Sequence, residues 1–347
     1  MTERRTYLDV GVGETRGVVT LDGRPERLLI RRDGDLACQA LGAEAVGRVR
    51  KVERQLALAF VELGGGPDGV LNLRPDMERL VEGQAVRVEI RSEARAGKGA
   101  SLRLIGEGEG PPRLVTPAPT IEDELAGVAS RAEVVTGGVA RATADTAEAE
   151  ALETVFPLSG GGTVAIEATR ALIAVDVDLG DRGGSDAKRA TRAANFAALT
   201  TAARVLRLKG EGGLVVIDLA GRGHDGPALI SGARLAFGPD NPGVAFGPIS
   251  RFGTLELTVP RRRRSVADHL LDAAGSPTAE TLALRLIRKI EREAVADPGA
   301  RLEARAAPDV AEAAQSYLKV LTDRFGARLS LASDAGRPRE EPVVRPQ

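Results

Sequence analysis

The sequence predicts an α/β protein, α+β in overall arrangement, with an OB-type β-barrel near the N-terminus, a mixed α/β domain after it and a small C-terminal α/β domain. Three observations predict this. Five short strand-like segments crowd into residues 42–106, a strand–helix–strand pattern spans residues 171–221, and another follows a strongly periodic helix near the C-terminus. At 347 residues with 43% hydrophobic content, the chain is long enough for two or three modest domains with real cores.

In chain order, "YLDVGVGETRGVVTLDGRPERLLIRR" (7–32) alternates and turns at Asp22 and Gly23, which predicts a two-strand hairpin. "AVGRVRKVE", "LALAFVELG", "GVLNL", "QAVRVEIRSE" and "ASLRLIG" are the five barrel strands, interrupted by glycines such as those of "GGGPDG". "EGEGPPRLVTPAPT" (107–120) reads as a linker because Gly and Pro disfavour regular structure. Thr120 then caps a helix that leads into a short strand, and "TADTAEAEALETVF" forms a second helix.

"GGTVAIEAT" and "RALIAVDVD" form a strand pair. A helix with Ser185 as N-cap and Lys209–Gly210 as its end leads to the buried strand "GGLVVIDLAG". "ISRFGTLELTVPRRRR" adds a strand and a basic run, and "TAETLALRLIRKIEREAVA" an amphipathic helix. Strand, helix and strand close the domain, and a disordered tail is expected from about Asp334.

Net charge is −1, so overall basicity gives no argument for a polyanionic partner, and any basic patch must be local. The single cysteine, Cys38, excludes an internal disulfide framework or a Cys-rich zinc ribbon within one chain. "MTERRTYLDVGVGE" lacks the apolar core of a signal peptide, and no window reaches the roughly 18 apolar residues of a membrane span. A cytoplasmic location is therefore expected.

The run "ALIAVDVDLG" ends in Asp176 and Asp178, which alternation places on one strand face. If this strand neighbours the one ending in Asp218, three carboxylates meet at the carboxyl edge of the sheet, where open α/β sheets bind ligands. Unpaired carboxylates 4 Å apart repel by about 4 kcal/mol at an effective dielectric of about 20. A hard divalent cation removes that cost. Magnesium suits carboxylates with waters and phosphate oxygens, whereas zinc favours His and Cys. The implied chemistry is metal-assisted attack of water on a phosphodiester. On spacing alone, a helix cap or a solvated strand end explains each aspartate equally well.

"SGGGTVAIEATRALIAVDVDLGDRGG", the helix containing Asn195, "RVLRLKGEGGLVVIDLAG" and "ISRFGTLEL" together resemble the catalytic core of the ribonuclease E/G family. The resemblance implies an RNase H-like subdomain split between residues 1–40 and 108–155 and an S1-like OB barrel at 41–107. It further implies a DNase I-like catalytic domain at 156–270, a small domain at 276–333 and a tail at 334–347. It implies a magnesium-dependent endoribonuclease cutting single-stranded RNA in RNA processing or decay. Asp176 and Asp218 would bind Mg2+, and Asp178 stands where the family has an asparagine that orients the attacking water. Arg182, with Gly183 and Gly184, matches an Arg-Gly-Gly turn near the site that would hold phosphate.

In the barrel, Phe60 matches a base-stacking aromatic and Lys98 a basic position lining the RNA channel, with Arg48 a further RNA-binding candidate. Val70 replaces the second aromatic, and a place in the barrel core explains Phe60 as well. For Arg251 and Phe252 a structural role stands beside a functional one, and a buried strand explains Phe252 equally well. The run Arg261–Arg264 either contacts phosphate or is a solvated loop, and His224 lies in the loop after Asp218. About 50 residues separate the barrel from "SGGG", too few for the family's 5′-monophosphate sensor. The family's Cys-x-x-Cys zinc link is absent, so any homo-oligomer is expected not to be zinc-linked. The alternative is a non-catalytic RNA-binding protein on the same scaffold.

Overall fold

In a computed structural model, which describes residues 3–77, 79–95, 97–129, 133–180, 187–238 and 241–346, the N-terminal alternation yields three strands rather than two. β1 (Arg4–Val10), β2 (Glu14–Leu21) and β3 (Arg24–Arg32) form an antiparallel sheet in that order. The β2–β3 turn has positive φ at both Asp22 (50°) and Gly23 (78°), the backbone that suits the twist of a two-residue hairpin.

β4 (Glu44–Glu53), β5 (Leu58–Glu62), β6 (Gly69–Asn72), β7 (Ala85–Ser92) and β8 (Ser101–Glu107) close a five-stranded barrel. β4 pairs with both β5 and β7, and β6 runs parallel to β8, an order consistent with an OB-like domain. Closure brings β4 and β5 very near: a Cβ on Gly47 would lie 2.5 Å from Val61 Cγ1 and 2.8 Å from the Glu62 carbonyl oxygen. The expected linker contributes a further strand. β9 (Arg113–Thr116) adds to β4, because its backbone can complete the ladder that the prolines around it only bracket.

α1 (Ile121–Ala129), capped by reciprocal Thr120 and Asp123 hydrogen bonds, and α2 (Gly137–Leu152) lie on the first sheet. Val18 and Leu28 pack with Ala144, Ala147 and Ala151 of α2, while Leu8 and Val19 pack with Ile121 and Leu125 of α1.

The central sheet has the order β10-β11-β12-β13-β15-β14. Its strands are β10 (Val155–Pro157), β11 (Thr163–Ala168), β12 (Ile173–Asp178), β13 (Gly213–Asp218), β14 (Ala245–Ile249) and β15 (Thr254–Val259). The crossover α3 (Ala187–Lys209) joins β12 to its parallel neighbour β13, as the strand–helix–strand pattern predicts. The Ser185 cap lies outside the described residues. One sheet face, with Val164, Val175, Val177, Val215, Ile217 and Leu255, packs on α3 and on α4 (Gly226–Phe237). The opposite face is half-buried or exposed along its length.

α5 (Val266–Leu270) and α6 (Ala279–Ala296) lead into the C-terminal unit, where α7 (Pro308–Phe325) connects the parallel strands β16 (Leu302–Ala306) and β17 (Leu329–Ser333). The tail is not disordered throughout: β18 (Val343–Pro346) pairs antiparallel with β16, so backbone hydrogen bonding holds a segment that composition marks as loose.

A buried ionic cluster joins the first sheet, α2 and α6. Arg16, 1% exposed, meets Asp9 at 2.6 Å, Asp145 at 2.8 Å and Glu148 at 3.0 Å. Glu14 receives Arg32 at 2.9 Å and Arg288 at 2.6 Å, and Arg285 reaches Glu148 at 2.8 Å. Burial raises the Glu148 pKa, but Arg288, Arg285 and Arg16 outweigh it and the carboxyl sits below its ordinary value.

Candidate active site

β12 and β13 are parallel, and their register pairs Asp176 with Asp218. Paired residues of adjacent strands point to the same face about 4.8 Å apart. Both side chains lie on the open face of the sheet, and neither has a hydrogen-bond or ion-pair partner among the described residues. The alternation that buries Val175 and Val177 beneath the sheet turns Asp176 and Asp178 outward.

Asp178 behaves differently. Its Cα pairs with Thr163 of β11 rather than with β13, and its Oδ1 accepts the Gly180 N–H at 2.8 Å. That bond makes an Asx turn that ends the strand. The expected trio is therefore a register pair with a turn-forming neighbour. Among the described residues no group of three or more His, Cys, Asp or Glu side chains comes together to hold a metal ion. A pair of exposed carboxylates does match the donor set of Mg2+, which keeps several waters and takes phosphate oxygens alongside one or two carboxylates.

Asn195, on α3, is the residue whose role the sequence did not disclose. It is 1% exposed, its Nδ2 donates to the Ala220 carbonyl at 3.0 Å, and its Oδ1 accepts the Ala220 N–H at 3.0 Å. Both backbone groups of the residue two beyond Asp218 are thus held from beneath the sheet. A lone amide among Ala194, Ala198, Leu199 and Ala202 on the buried helix face was the available signal.

Thr254 of β15 pairs with Asp218 on the other side, and the turn before it is closely tied. Ser250 Oγ and Thr254 Oγ1 lie 2.8 Å apart, Gly253 N–H donates to the Ser250 carbonyl at 3.0 Å, and Leu219 N–H donates to the Gly253 carbonyl at 3.3 Å. Phe252 is not on a buried strand: this turn presents it to solvent, 77% exposed, with the Arg251 guanidinium 4.7 Å from its ring centre. His224 packs under the turn, its Nε2 buried without a hydrogen-bond partner among the described residues and 3.2 Å from where a Gly253 Cβ would stand.

Arg182, Gly183 and Gly184 lie outside the described residues. In the barrel, Phe60 faces outward between the core positions Ala59 and Val61, with Val70 and Lys51 as its cross-strand partners. It is not part of the barrel core. Lys98 is exposed beside a turn, whereas Arg48 spends its guanidinium on the carbonyls of Gly83 at 2.9 Å and Gly110 at 3.1 Å. Arg48 therefore braces the barrel through these two backbone carbonyls.

Three side chains of the run Arg261–Arg264 are committed to carboxylates, while Arg262 is exposed. Arg261 pairs with Asp268 at 2.7 Å, Arg263 with Glu124 at 2.6 Å and Arg264 with Asp35 at 2.9 Å, tying the end of β15 to the first sheet and α1. Burial, with the positive charge of Arg264, pushes the nearby His269 pKa down to about 3, so this imidazole is neutral and structural. A cleft of about 460 Å³ adjoins the run, lined by Glu211, Arg262 and His269 among others. The carboxylate pair instead lies on an open surface, the geometry a long polymer needs.

Residues 133–264 match the ribonuclease E/G family. This segment of the chain is similar to members of that family. It contains Asp176, Asp178, Asp218, Asn195 and the turn carrying Phe252. The chain is similar to ribonuclease E of Escherichia coli (strain K12), 34% identical over 149 residues, which is 40% of this chain and 14% of that protein. The ribonuclease E/G-like chloroplastic protein of Arabidopsis thaliana is 34% identical over 116 residues, 32% of this chain and 12% of that protein. Ribonuclease G of Escherichia coli (strain K12) is 28% identical over 176 residues, 47% of this chain and 35% of that protein. The match to these ribonuclease E/G relatives thus spans well under half of their length. No helix among the described residues is long and apolar enough to cross a membrane.

Proposed function

We propose that the chain is a magnesium-dependent endoribonuclease of ribonuclease E/G type that hydrolyses phosphodiester bonds in single-stranded RNA, acting in cytoplasmic RNA processing or decay. The observation that carries this reading is the Asp176–Asp218 register pair, unpartnered on an open sheet face inside the family segment. Asp176 and Asp218 would hold the ion from the sheet, leaving its solvent side to the RNA phosphate. When bound, Mg2+ supplies positive charge against the developing charge on phosphate and lowers the pKa of water.

The chain's own residues set the rest. Asp178 fixes the end of β12 through the Gly180 N–H. Asn195 holds Ala220 and so limits movement of the strand end that carries Asp218. In this reading the barrel at 41–107 is S1-like and grips the strand through Phe60 and Lys98. Residues 1–40 and 108–155 make the split RNase H-like subdomain, and 156–270 the DNase I-like domain. Any homo-oligomer forms without a zinc link.

Incubation with a labelled single-stranded RNA and Mg2+ tests the proposal. Cleavage that disappears in both Asp176→Asn and Asp218→Asn supports it. Binding with no magnesium-dependent cleavage overturns it in favour of a non-catalytic RNA-binding protein. The short segment between barrel and catalytic sheet leads us to expect equal cleavage of 5′-monophosphate and 5′-triphosphate RNA.

A further inference from the structure

Of the nine aromatic side chains, seven Phe and two Tyr, Phe252 alone is exposed. It also lies on a turn tied by several hydrogen bonds. Besides the bonds already described, Ser250 Oγ accepts from the N–H groups of Phe252 at 3.2 Å and Thr254 at 3.3 Å, and Ser250 N–H donates to the Thr254 carbonyl at 2.9 Å. Gly253 holds φ +92° over the His224 ring, a conformation that L side chains rarely adopt. An apolar ring that merely strayed to the surface would not need a turn locked by so many hydrogen bonds.

Position adds the second argument. Thr254 is the register partner of Asp218, and Phe252 stands two residues before it, at most about 7 Å of extended chain away. Leu219, next to Asp218, is tied to the same turn through the Gly253 carbonyl. The Arg251 guanidinium lies 4.7 Å from the ring centre and has no carboxylate partner among the described residues. An aromatic ring backed by a guanidinium is a surface on which a nucleobase stacks, and the cation remains available to a phosphate.

We propose that Phe252 and Arg251 form a base-stacking platform beside the Asp176–Asp218 pair, which holds one unpaired nucleotide next to the scissile phosphate. This rests on the reading of that pair as the site where RNA is cut. It adds the residue that fixes the register of the strand over the ion. Duplex RNA, whose bases are already stacked, would find no use for the platform, and single strands would be preferred.

The chain contains no tryptophan, so Phe252→Trp introduces its sole indole. In EDTA, a short single-stranded oligoribonucleotide should quench that fluorescence by about half or more. An abasic ribose-phosphate chain of the same length, bound to the same extent by anisotropy, should leave it unchanged. Phe252→Ala should weaken binding of the base-bearing strand about tenfold, with the melting temperature unmoved because the ring is exposed. Equal emission with both ligands, or Phe252→Ala binding like the unaltered protein, overturns the platform.

Cleavage by the unaltered protein in Mg2+ separates the two proposals. Base-dependent quenching without cleavage removes the nuclease and keeps the platform. Cleavage with an unquenched indole removes the platform and keeps the nuclease.

Discussion

Asp9, Glu14 and Glu148 lie in the interior between the first sheet, α2 and α6, and each meets at least two arginines, whereas Asp176 and Asp218 lie on an open sheet face and meet none among the described residues. The two sets contain the same functional group and differ in what surrounds it. In the interior, a carboxylate left alone would be intolerable, so its partners come from several elements and its place is architectural. On the open face, water carries the cost of the charge and the oxygens remain free to take a ligand. On the proposed reading, it is the pair left without a partner at neighbouring strand ends that would do chemistry.

The sharpest way to break this contrast is to neutralise each set. Asp176→Asn and Asp218→Asn are expected to reduce magnesium-dependent RNA cleavage by about a thousandfold or more, about 4 kcal/mol in the barrier, with little change in melting temperature. A comparable loss of stability would place these residues with the interior set. Arg16→Met should do the reverse. It takes one arginine from each of Asp9 and Glu148, leaving Arg141 with the first and Arg285 and Arg288 with the second, and lowers unfolding stability in urea by about 1.5–3 kcal/mol.

Asn195 lies between the two behaviours, since it is buried yet acts on the strand end of the site. Asn195→Ala leaves both Ala220 backbone groups unmet, and a loss of about 1–3 kcal/mol is expected together with a fall in cleavage. A stability loss with unchanged cleavage would make the clamp purely structural. At Asp178, substitution by asparagine keeps an oxygen to accept the Gly180 N–H. Cleavage by Asp178→Asn is therefore expected within about tenfold of the unaltered protein, with the melting temperature within about 1–2 °C.

The pH dependence should be absent at neutrality. The His269 pKa is lowered from 6.5 to about 3 in the folded chain, so below pH 6.5 the unfolded chain binds a proton that the folded chain refuses. Its contribution to stability is intact above 6.5 and is lost progressively as pH falls towards 3. Glu148, whose pKa is also lowered, adds to the loss below about 4.5. Replacing His269 with glutamine should flatten the upper part of this acid limb in urea titrations.

The open-face half of this contrast was visible in the residues, and the interior half was not. Alternation in "IAVDVD" placed both aspartates outward, and the crossover pattern predicted the parallel neighbour that carries Asp218. The barrel strands were legible because each is bounded by glycines or turns. What alternation cannot convey is partnership over long separations. Arg263 finds Glu124 and Arg264 finds Asp35, so a run that reads as free positive charge is mostly neutralised by folding.

Short or interrupted signals were also lost. α4 begins at Gly226 with a proline in its first turn and an Asp225 cap, and its 12 residues contain a further glycine that weakens the helical pattern. β18 is four residues among prolines and charges, and only the free edge of β16 gives it a partner. A buried strand would also have explained Phe252, but the buried positions Leu255 and Leu257 leave position 252 on the other face, and the turn at Gly253 ends the strand before the ring.

On the proposed reading, the crossover through α3 also decides when the protein would become dangerous to RNA. Asp176 and Asp218 belong to strands joined by a 23-residue helix, so the pair exists only after that helix has packed and β13 has found β12. During synthesis, a nascent chain that has emerged as far as Asp176 holds half of the carboxylate pair and no more. On the proposed reading, the ribosome's own messenger would be safe from its product until the crossover is complete.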